Sequence, residues 1–302
     1  MKILCTSDWH LRKDTPSCRH DDFRNTQLNK IRQIHEIAKR NQVDFILHAG
    51  DFFNEARPDL DSFFCDMISE LSRFSIPMYV VPGNHDMRYR NTKTLKSSGL
   101  QLLYVCKMVQ PLIGLRTING LKCFGLSADM NFNETIKTFD KVKPDIVVSH
   151  HMITPKPCPF DYYLVEDLEK PFKNVRVSFS GDWHHPFMIK NSKTLFLNTG
   201  SFTRQSSTEK KLTPSVTLLT IDNEDVGLET IPISFKAHET FLEETKDSAK
   251  VNFASELSQV SIDQTDIWTV FNTVVANKKV PSSIIDRSKQ SLLEASDRLK
   301  DD

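Results

Sequence analysis

The opening stretch MKILCTSDWH, residues 1–10, decides how the rest of the chain is read. Lys2 to Thr6 is apolar and has the length of a buried strand. It stops at Asp8-Trp9-His10, where a carboxylate and an imidazole stand two residues apart. The same passage from apolar run to polar cluster recurs along the chain. Val43 to Ala49 ends at Gly50-Asp51, and Met78 to Val81 ends at Gly83-Asn84-His85-Asp86. Asp145 to Val148 leads to Ser149-His150-His151, and Val175 to Ser180 to Gly181-Asp182-Trp183-His184. Strand ends on one edge of a sheet lie side by side, so groups distant in sequence can converge there.

Working outward, Asp21 to Arg40 and Asp59 to Phe74 carry helical spacing. Phe23, Leu28, Ile31, Ile34 and Ile37 mark the first; Phe63, Phe64, Met67, Ile68 and Leu71 mark the second, with Arg57-Pro58-Asp59 as its start signal. Strands alternating with helices imply crossovers and helices laid over a sheet. Leu112 to Ile118 and Leu121 to Leu126 flank Asn119-Gly120, a dipeptide suited to a tight type I′ hairpin. A helix near Asn133 to Asp140 precedes the run ending at Ser149. Met152 to Tyr163 is irregular and proline-rich, with Phe160, Tyr162 and Tyr163 close behind the His150 cluster.

Pro186 to Ile189, Thr194 to Leu197, Ser215 to Ile221 and Val226 to Ile233 read as short strands. They predict a second, antiparallel layer, hence an α/β sandwich of two sheets rather than one singly wound parallel sheet. The expected division is a core over 1–236 and a charged, helical C-terminal region over 237–302. In its last helical stretch, Ile284, Ile285, Leu292, Leu293 and Leu299 form a sparse stripe that either packs on the core or docks on a partner.

Lys+Arg and Asp+Glu balance at 39 each. A net charge of zero argues against holding nucleic acid through a strong global field. A polyanionic substrate would have to be gripped by metals, by a local basic patch, or with a second subunit. The cysteines (Cys5, Cys18, Cys65, Cys106, Cys123, Cys158) are scattered without a C-x-x-C pair. The first apolar stretch is too short for a signal peptide, and no run approaches membrane-spanning length. The expectation is a reduced, cytoplasmic protein without membrane association.

Carboxylate oxygens, an amide oxygen and imidazole nitrogens in one crevice form the ligand set of a two-metal hydrolase. One assignment puts Asp8, His10 and His184 on one ion, Asn84, His150 and Asp182 on the other, and Asp51 between them. The D-x-H spacing suits a strand end, where side chains two apart point the same way. Mixed nitrogen and oxygen donors favour Mn²⁺, Fe or Zn²⁺ over Ca²⁺ or Mg²⁺. Two such ions, about 3.5–4 Å apart, activate water to hydroxide near neutral pH and neutralise a phosphate held between them. The leaving oxygen then needs a proton, and His85, outside the assigned ligands, is the candidate donor. Asp86 either orients the His85 imidazole or caps a helix. His151 and His185 adjoin proposed ligands and could replace them or contact substrate. Each cluster alone is ordinary turn chemistry; their order and placement together carry the reading.

The five clusters, in this order, resemble those of the calcineurin-like metallophosphoesterases over roughly residues 1–205. Thr6-Ser7-Asp8-Trp9-His10-Leu11, Ala49-Gly50-Asp51-Phe52-Phe53, Arg57-Pro58 and Asn198-Thr199-Gly200-Ser201 with Arg204 are similar to segments of the SbcD-type DNA repair nucleases within that family. The resemblance implies a two-sheet sandwich with a smaller accessory region and Mn²⁺-dependent cleavage of DNA phosphodiesters, by exonuclease and endonuclease action. It also implies an SbcC-type ATPase partner and dimerisation. The family's last cluster reads Gly-His-x-His, whereas here Asp182 takes the place of the first histidine. Its extra negative charge would weaken the Lewis acidity of that ion, or the site would weaken if Asp182 turned away. The region after Ala237 is also short, so any capping domain is reduced.

The first function expected is therefore a DNA nuclease, with Arg12, Lys13, Arg88, Arg90 and Arg204 as local positive charges toward substrate. The second is a phosphoesterase for a cyclic nucleotide, a small phosphoester or a phosphoprotein. The third, motivated by Asp182, is a metal-poor subunit that binds DNA or an ATPase.

Overall fold

Inside each apolar run the side chains alternate between two different cores. The computed structural model describes residues 1–191, 193–222 and 225–233. Strands β1 (Lys2–Thr6), β2 (Phe45–His48), β3 (Met78–Val80) and β4 (Gln110–Pro111) run parallel in one sheet. The hairpin β5 (Gly114–Ile118) and β6 (Leu121–Leu126) opens a second sheet. There β6 lies parallel to β7 (Ile146–Ser149). The two-residue strands β8 (Ile153–Thr154) and β9 (Tyr163–Leu164) pair apart from both sheets. The second sheet continues with β10 (Val177–Ser180), parallel to β7, and β12 (Leu195–Asn198), parallel to β10. Its edge strand β11 (Phe187–Lys190) pairs antiparallel with β12. Finally β13 (Ser215–Asp222) returns to the first sheet antiparallel to β1, with β14 (Asp225–Pro232) outside it.

Contrary to the sequence expectation, the four late strands do not form one antiparallel layer. β11 and β12 extend the second sheet, β13 and β14 extend the first, and the middle of the second sheet is parallel. The two-sheet α/β sandwich itself stands. Crossovers bring β7, β10 and β12 back in one direction, which their short apolar runs alone cannot encode.

Ile3, Cys5, Phe45 and Leu47 face Ile146, Val148, Val177 and Phe179 between the sheets. Leu4 and Ile46, on the opposite face of the first sheet, pack under α1 (Phe23–Arg40) and α2 (Ser62–Leu71). Val147 and Phe196 turn outward to Phe132, Phe139 and Phe172. Strands covered on both faces read as unbroken apolar runs for this reason.

Asp22 caps α1 by accepting from Asn25 N, and Asp61 caps α2 by accepting from Phe64 N. Asp61, rather than Asp59, therefore sets the start of the second helix. After α3 (Gly99–Val105), the helix expected near Asn133 appears as two short ones, α4 (Phe132–Ile136) and α5 (Phe139–Val142). The Asn119-Gly120 hairpin forms with φ of 47° and 90°, as a type I′ turn requires. No helix among the described residues is long and apolar enough to cross a membrane. The region expected from 237 to 302 lies outside the described residues.

Candidate metal centre

The parallel strands of both sheets end on the same edge of the sandwich, and the clusters meet there. Asp8 and His10 follow β1, Asp51 follows β2, Asn84 and His85 follow β3. His150 follows β7, and Asp182 and His184 follow β10. Simple strand alternation does not aim Asp8 and His10, contrary to the sequence expectation. The strand has ended by Asp8, and Asp8, His10, Asp51 and Asp182 all adopt left-handed backbone, with φ of 51°, 45°, 54° and 70°. Such conformations are costly for residues with a Cβ and persist only where the surroundings impose them. Here a ladder does so: Asp8 N donates to Gly50 O (3.0 Å), His10 N to Asp51 O (2.9 Å) and Leu11 N to Phe52 O (3.0 Å).

Around Asp51 the donor atoms are close. Its Oδ2 lies 3.4 Å from His10 Nε2 and 3.3 Å from His150 Nε2. His150 Nε2 is 3.0 Å from Asn84 Oδ1 and 3.8 Å from Asp182 Oδ1. On the other side His10 Nε2 is 3.2 Å from His184 Nε2, which is 3.9 Å from Asp8 Oδ1. All seven residues assigned as ligands from sequence are therefore brought together, with Asp51 central. Asp182 faces His150 rather than turning away, and its backbone N–H donates to Asp8 Oδ1 (3.1 Å). The backbone leaves little spare room: a Cβ on Gly50 would lie 2.3 Å from His150 Nδ1, and one on Gly83 would lie 2.1 Å from Asp51 Oδ1. Glycine at these positions permits the approach.

Whether these residues suit divalent cations is decided by where the protons can sit. His150 Nδ1 is 2.6 Å from Ala49 O, and His184 Nδ1 contacts Glu209 Oε1. With Nδ1 protonated to serve those acceptors, each ring aims Nε2 at carboxylate or amide oxygens, and loss of the Nε2 proton leaves a lone pair there. Acceptor then faces acceptor, and Asp8 Oδ2, fully buried, has no hydrogen-bond partner among the described residues. Cations resolve both conflicts. Asp8, His10 and His184, and likewise Asp8, Asp51 and His150, place donor atoms within 4.8 Å of one another.

Without cations the electrostatics are strained. Burial pushes the Asp8 carboxyl up to about 6, against the pull of His184 and His150. Burial would also raise Asp51, but His150, His85 and His10 hold it well below the usual carboxylate range. Burial lowers His10 well below the usual histidine value. His150 goes the other way: burial opposes its charge, yet Asp51 carries it well above that value. His184 behaves alike, with burial overcome by Glu209, and its imidazole is pushed up to about 9.

A cation needs the unprotonated Nε2, so it must displace a proton from His184 at any pH below about 9. Affinity for Mn²⁺ is therefore expected to rise with pH, by about tenfold per unit for each proton released. Calorimetric titration between about pH 6.5 and about pH 8.5, in buffers of differing ionisation heat, measures both slope and proton release. A flat profile would contradict this assignment of the ring protons.

Glu209 is the functional residue that sequence reasoning missed. It is 3% exposed, and while Oε1 accepts from His184 Nδ1, Oε2 accepts from Gln205 N (2.7 Å) and Ser201 Oγ (3.2 Å). Ser206-Ser207-Thr208-Glu209 is a capping box, and that signal was available in the sequence. Carboxylates behind a metal-binding histidine fix its tautomer and aim. Glu209→Ala is expected to weaken Mn²⁺ binding about 10–100-fold; unchanged affinity on titration would refute the role.

Other expected residues are placed differently. Asp86 is fully buried and does not orient His85: its carboxylate accepts from Gly83 N (2.9 Å), Phe53 N (3.0 Å) and Phe52 N (3.2 Å). Burial, then Asp51, push that carboxyl up to about 7, while the three N–H groups act against the rise. It caps no helix either. His85 is held by Asn54, whose carbonyl lies 2.8 Å from Nδ1. Arg204 is a correction: it is 3% exposed, and its guanidinium donates to Lys210 O (2.9 Å) and Leu212 O (3.2 Å) instead of facing outward. Half-buried Arg12 donates to Gln205 Oε1 (3.3 Å), and Arg88 is exposed. Trp9 and Phe52 belong to the core, with Trp9 stacked on Phe202 at 5.0 Å. The segment after Asn198 braces the site, since Ser201 N donates to His184 O (3.0 Å) and Phe202 N to Asp8 O (3.1 Å).

Comparison with known proteins places the chain within a family. The sequence profile described as "Calcineurin-like phosphoesterase" matches residues 1–186. The chain is 24% identical over 297 residues to the DNA double-strand break repair protein Mre11 of Methanosarcina mazei, covering 94% of this chain and 44% of that protein. It is 28% identical over 246 residues to the Mre11 protein of Methanosarcina acetivorans, covering 77% of this chain and 39% of the relative. Over 263 residues it is 24% identical to the SbcD component of the SbcCD nuclease of Staphylococcus epidermidis, covering 76% of this chain and 68% of that one. The chain thus spans under half the length of those two archaeal relatives. A dimetal phosphatase of Danio rerio has a similar fold, with a TM-score of 0.50 at 10% identity, over 81% of this chain and 99% of that one.

Proposed function

The chain belongs to the calcineurin-like phosphoesterases, and on that premise we propose that it is a Mn²⁺-dependent DNA nuclease, an exonuclease with endonuclease action beside it, serving repair or recombination. The observation that carries the reading is Asp51 Oδ2 lying 3.4 Å from His10 Nε2 and 3.3 Å from His150 Nε2, one carboxylate shared by two nests of acceptors. The similarity to Mre11, a DNA double-strand break repair protein, and to the SbcD component of a nuclease supports DNA as the substrate.

In this reading Asp8, His10, His184 and Asp51 would hold one cation, and Asp51, Asn84, His150 and Asp182 would hold the other. When bound, the pair supplies a nucleophile from water at neutral pH and offsets negative charge on the phosphoryl oxygens. The chain's own residues do the rest. Glu209 and Ala49 O hold the protons of His184 and His150 on Nδ1, so both Nε2 atoms face inward. His85 also brings a ring nitrogen within 4.8 Å of donor atoms of His10 and Asp51. With Nδ1 engaged by Asn54 O, its Nε2 is the nitrogen that protonates the leaving oxygen. An SbcC-type ATPase and a second copy of the chain are the proposed partners, with the charged segment 237–302 as the docking element.

The test is cleavage of linear DNA by the purified chain with Mn²⁺, beside cyclic nucleotides and p-nitrophenyl phosphate. Degradation of DNA is expected. Turnover of the small phosphoesters with none of DNA, even beside the ATPase partner, would move the substrate to that class. Fewer than about one ion per chain in excess Mn²⁺ would instead indicate a role in binding alone.

A further inference from the structure

Tyr89 carries the one exposed Phe, Tyr or Trp ring among the described residues, 78% accessible in a fold that otherwise buries or half-buries these side chains. Its backbone is unusual as well: Tyr89 and Arg90 are consecutive non-glycine residues in left-handed conformation, with φ of 55° and 46°. Holding two such residues in succession opposes local preference, so the surrounding contacts must enforce it. They do. Thr94 Oγ1 accepts from Arg88 N (2.8 Å) and lies within hydrogen-bond reach of Arg88 O (3.0 Å) and Asn91 O (2.7 Å), closing the loop that carries Tyr89. The carboxylate of Asp86 anchors the start of the same loop to Gly83, Phe52 and Phe53.

The loop is also tied to segments that carry the metal centre. Tyr89 follows His85 by four residues. Thr92 N donates to Asp129 Oδ2 (3.0 Å) and Ala128 N to Pro82 O (3.2 Å), so the loop is fastened to the strip 127–130. Met130 O of that strip is 3.0 Å from His151 Nε2, beside the ligand His150. Arg88, exposed, and Arg90, half-buried, flank Tyr89 in the sequence, and neither has an ion-pair partner among the described residues.

From this arrangement we propose that Tyr89 is a stacking platform for one unpaired nucleobase of a strand entering the site, with Arg88 and Arg90 taking the phosphates on either side. The inference rests on the nuclease reading and gives it a substrate form, single-stranded or frayed DNA. An exposed ring accepts any base by its π-face, and flanking guanidinium groups track the backbone without reading sequence. A peptide partner would also meet the ring, but it would have to match two unpaired positive charges. A polyanion does so at every step of its backbone.

The experiment uses the full chain with Mn²⁺ on a His85→Ala background, so that the oligomer survives, and reads fluorescence anisotropy. The probes are labelled dT12 and an abasic oligomer of the same length and charge. The dT12 oligomer is expected to bind about five- to a hundredfold tighter than the abasic one. Tyr89→Ala should erase that difference without changing abasic binding, and Tyr89→Phe should keep it. Tyr89→Gly, which also relieves the left-handed backbone, should behave as alanine does. Arg88→Gln with Arg90→Gln should weaken both oligomers and flatten the salt dependence. Equal affinity for both oligomers, or an equal loss on both in Tyr89→Ala, would overturn the platform and leave the nuclease reading intact. No binding to either oligomer, with hydrolysis of p-nitrophenyl phosphate retained by the native chain, would overturn both.

Discussion

Asp51→Asn is expected to leave a folded chain that retains at most one ion and, on the nuclease reading proposed above, cleaves DNA at least about 10³-fold more slowly, beyond the 10–100-fold typical when a group behind a ligand is lost. The size follows from position. Asp51 is 2% exposed, its Oδ2 reaches both His10 and His150, and its Oδ1 accepts the His85 backbone N–H at 2.9 Å. Asparagine keeps the shape and the bond to His85 N, so folding is spared. The shared negative charge and one of the two equivalent oxygens are lost, and no neighbour can supply both ions in its place. Metal counting by mass spectrometry under native conditions, with a DNA cleavage assay, checks the outcome. Two ions retained at full occupancy would contradict the central place given to this carboxylate.

The second large effect is expected from His85→Gln, a loss of about 10²–10⁴ in cleavage rate with metal content unchanged. This substitution separates chemistry from assembly. The main-chain N–H that supports Asp51 stays, and glutamine can still reach toward the Asn54 carbonyl, so only the imidazole is removed. Single-turnover cleavage beside metal stoichiometry is the measurement. If His85→Gln instead lost an ion, His85 would be a ligand, a role its closeness to His10 and Asp51 makes geometrically open.

The framework was readable because each apolar run is covered on both faces and ends at its polar cluster, as β1 does at Thr6 before Asp8. Asn119-Gly120 likewise announced its hairpin through the backbone preference of two residues. Side-chain partners were less accessible. Asp86 looked like the companion of His85 because they are neighbours, yet its oxygens serve N–H groups at positions 52, 53 and 83. Arg204 carries a charge that suggests solvent, and only the fold shows it capping carbonyls. Glu209 stood in a visible capping box, but a capping box announces a helix start and says nothing of a histidine 25 residues earlier. The division of the four late strands between two sheets depended on crossover direction, which local pattern does not record.

Asp8, His10, Asp51 and Asn84 hang from one sheet of the sandwich; His150, Asp182 and His184 hang from the other. Cations seated among them would rivet the two halves at their open end. Metal supply would then govern durability along with reactivity: each site filled at 100 times its dissociation constant adds about 2.7 kcal/mol against unfolding. EDTA is accordingly expected to lower the melting temperature, and Mn²⁺ to restore it in step with the logarithm of its free concentration.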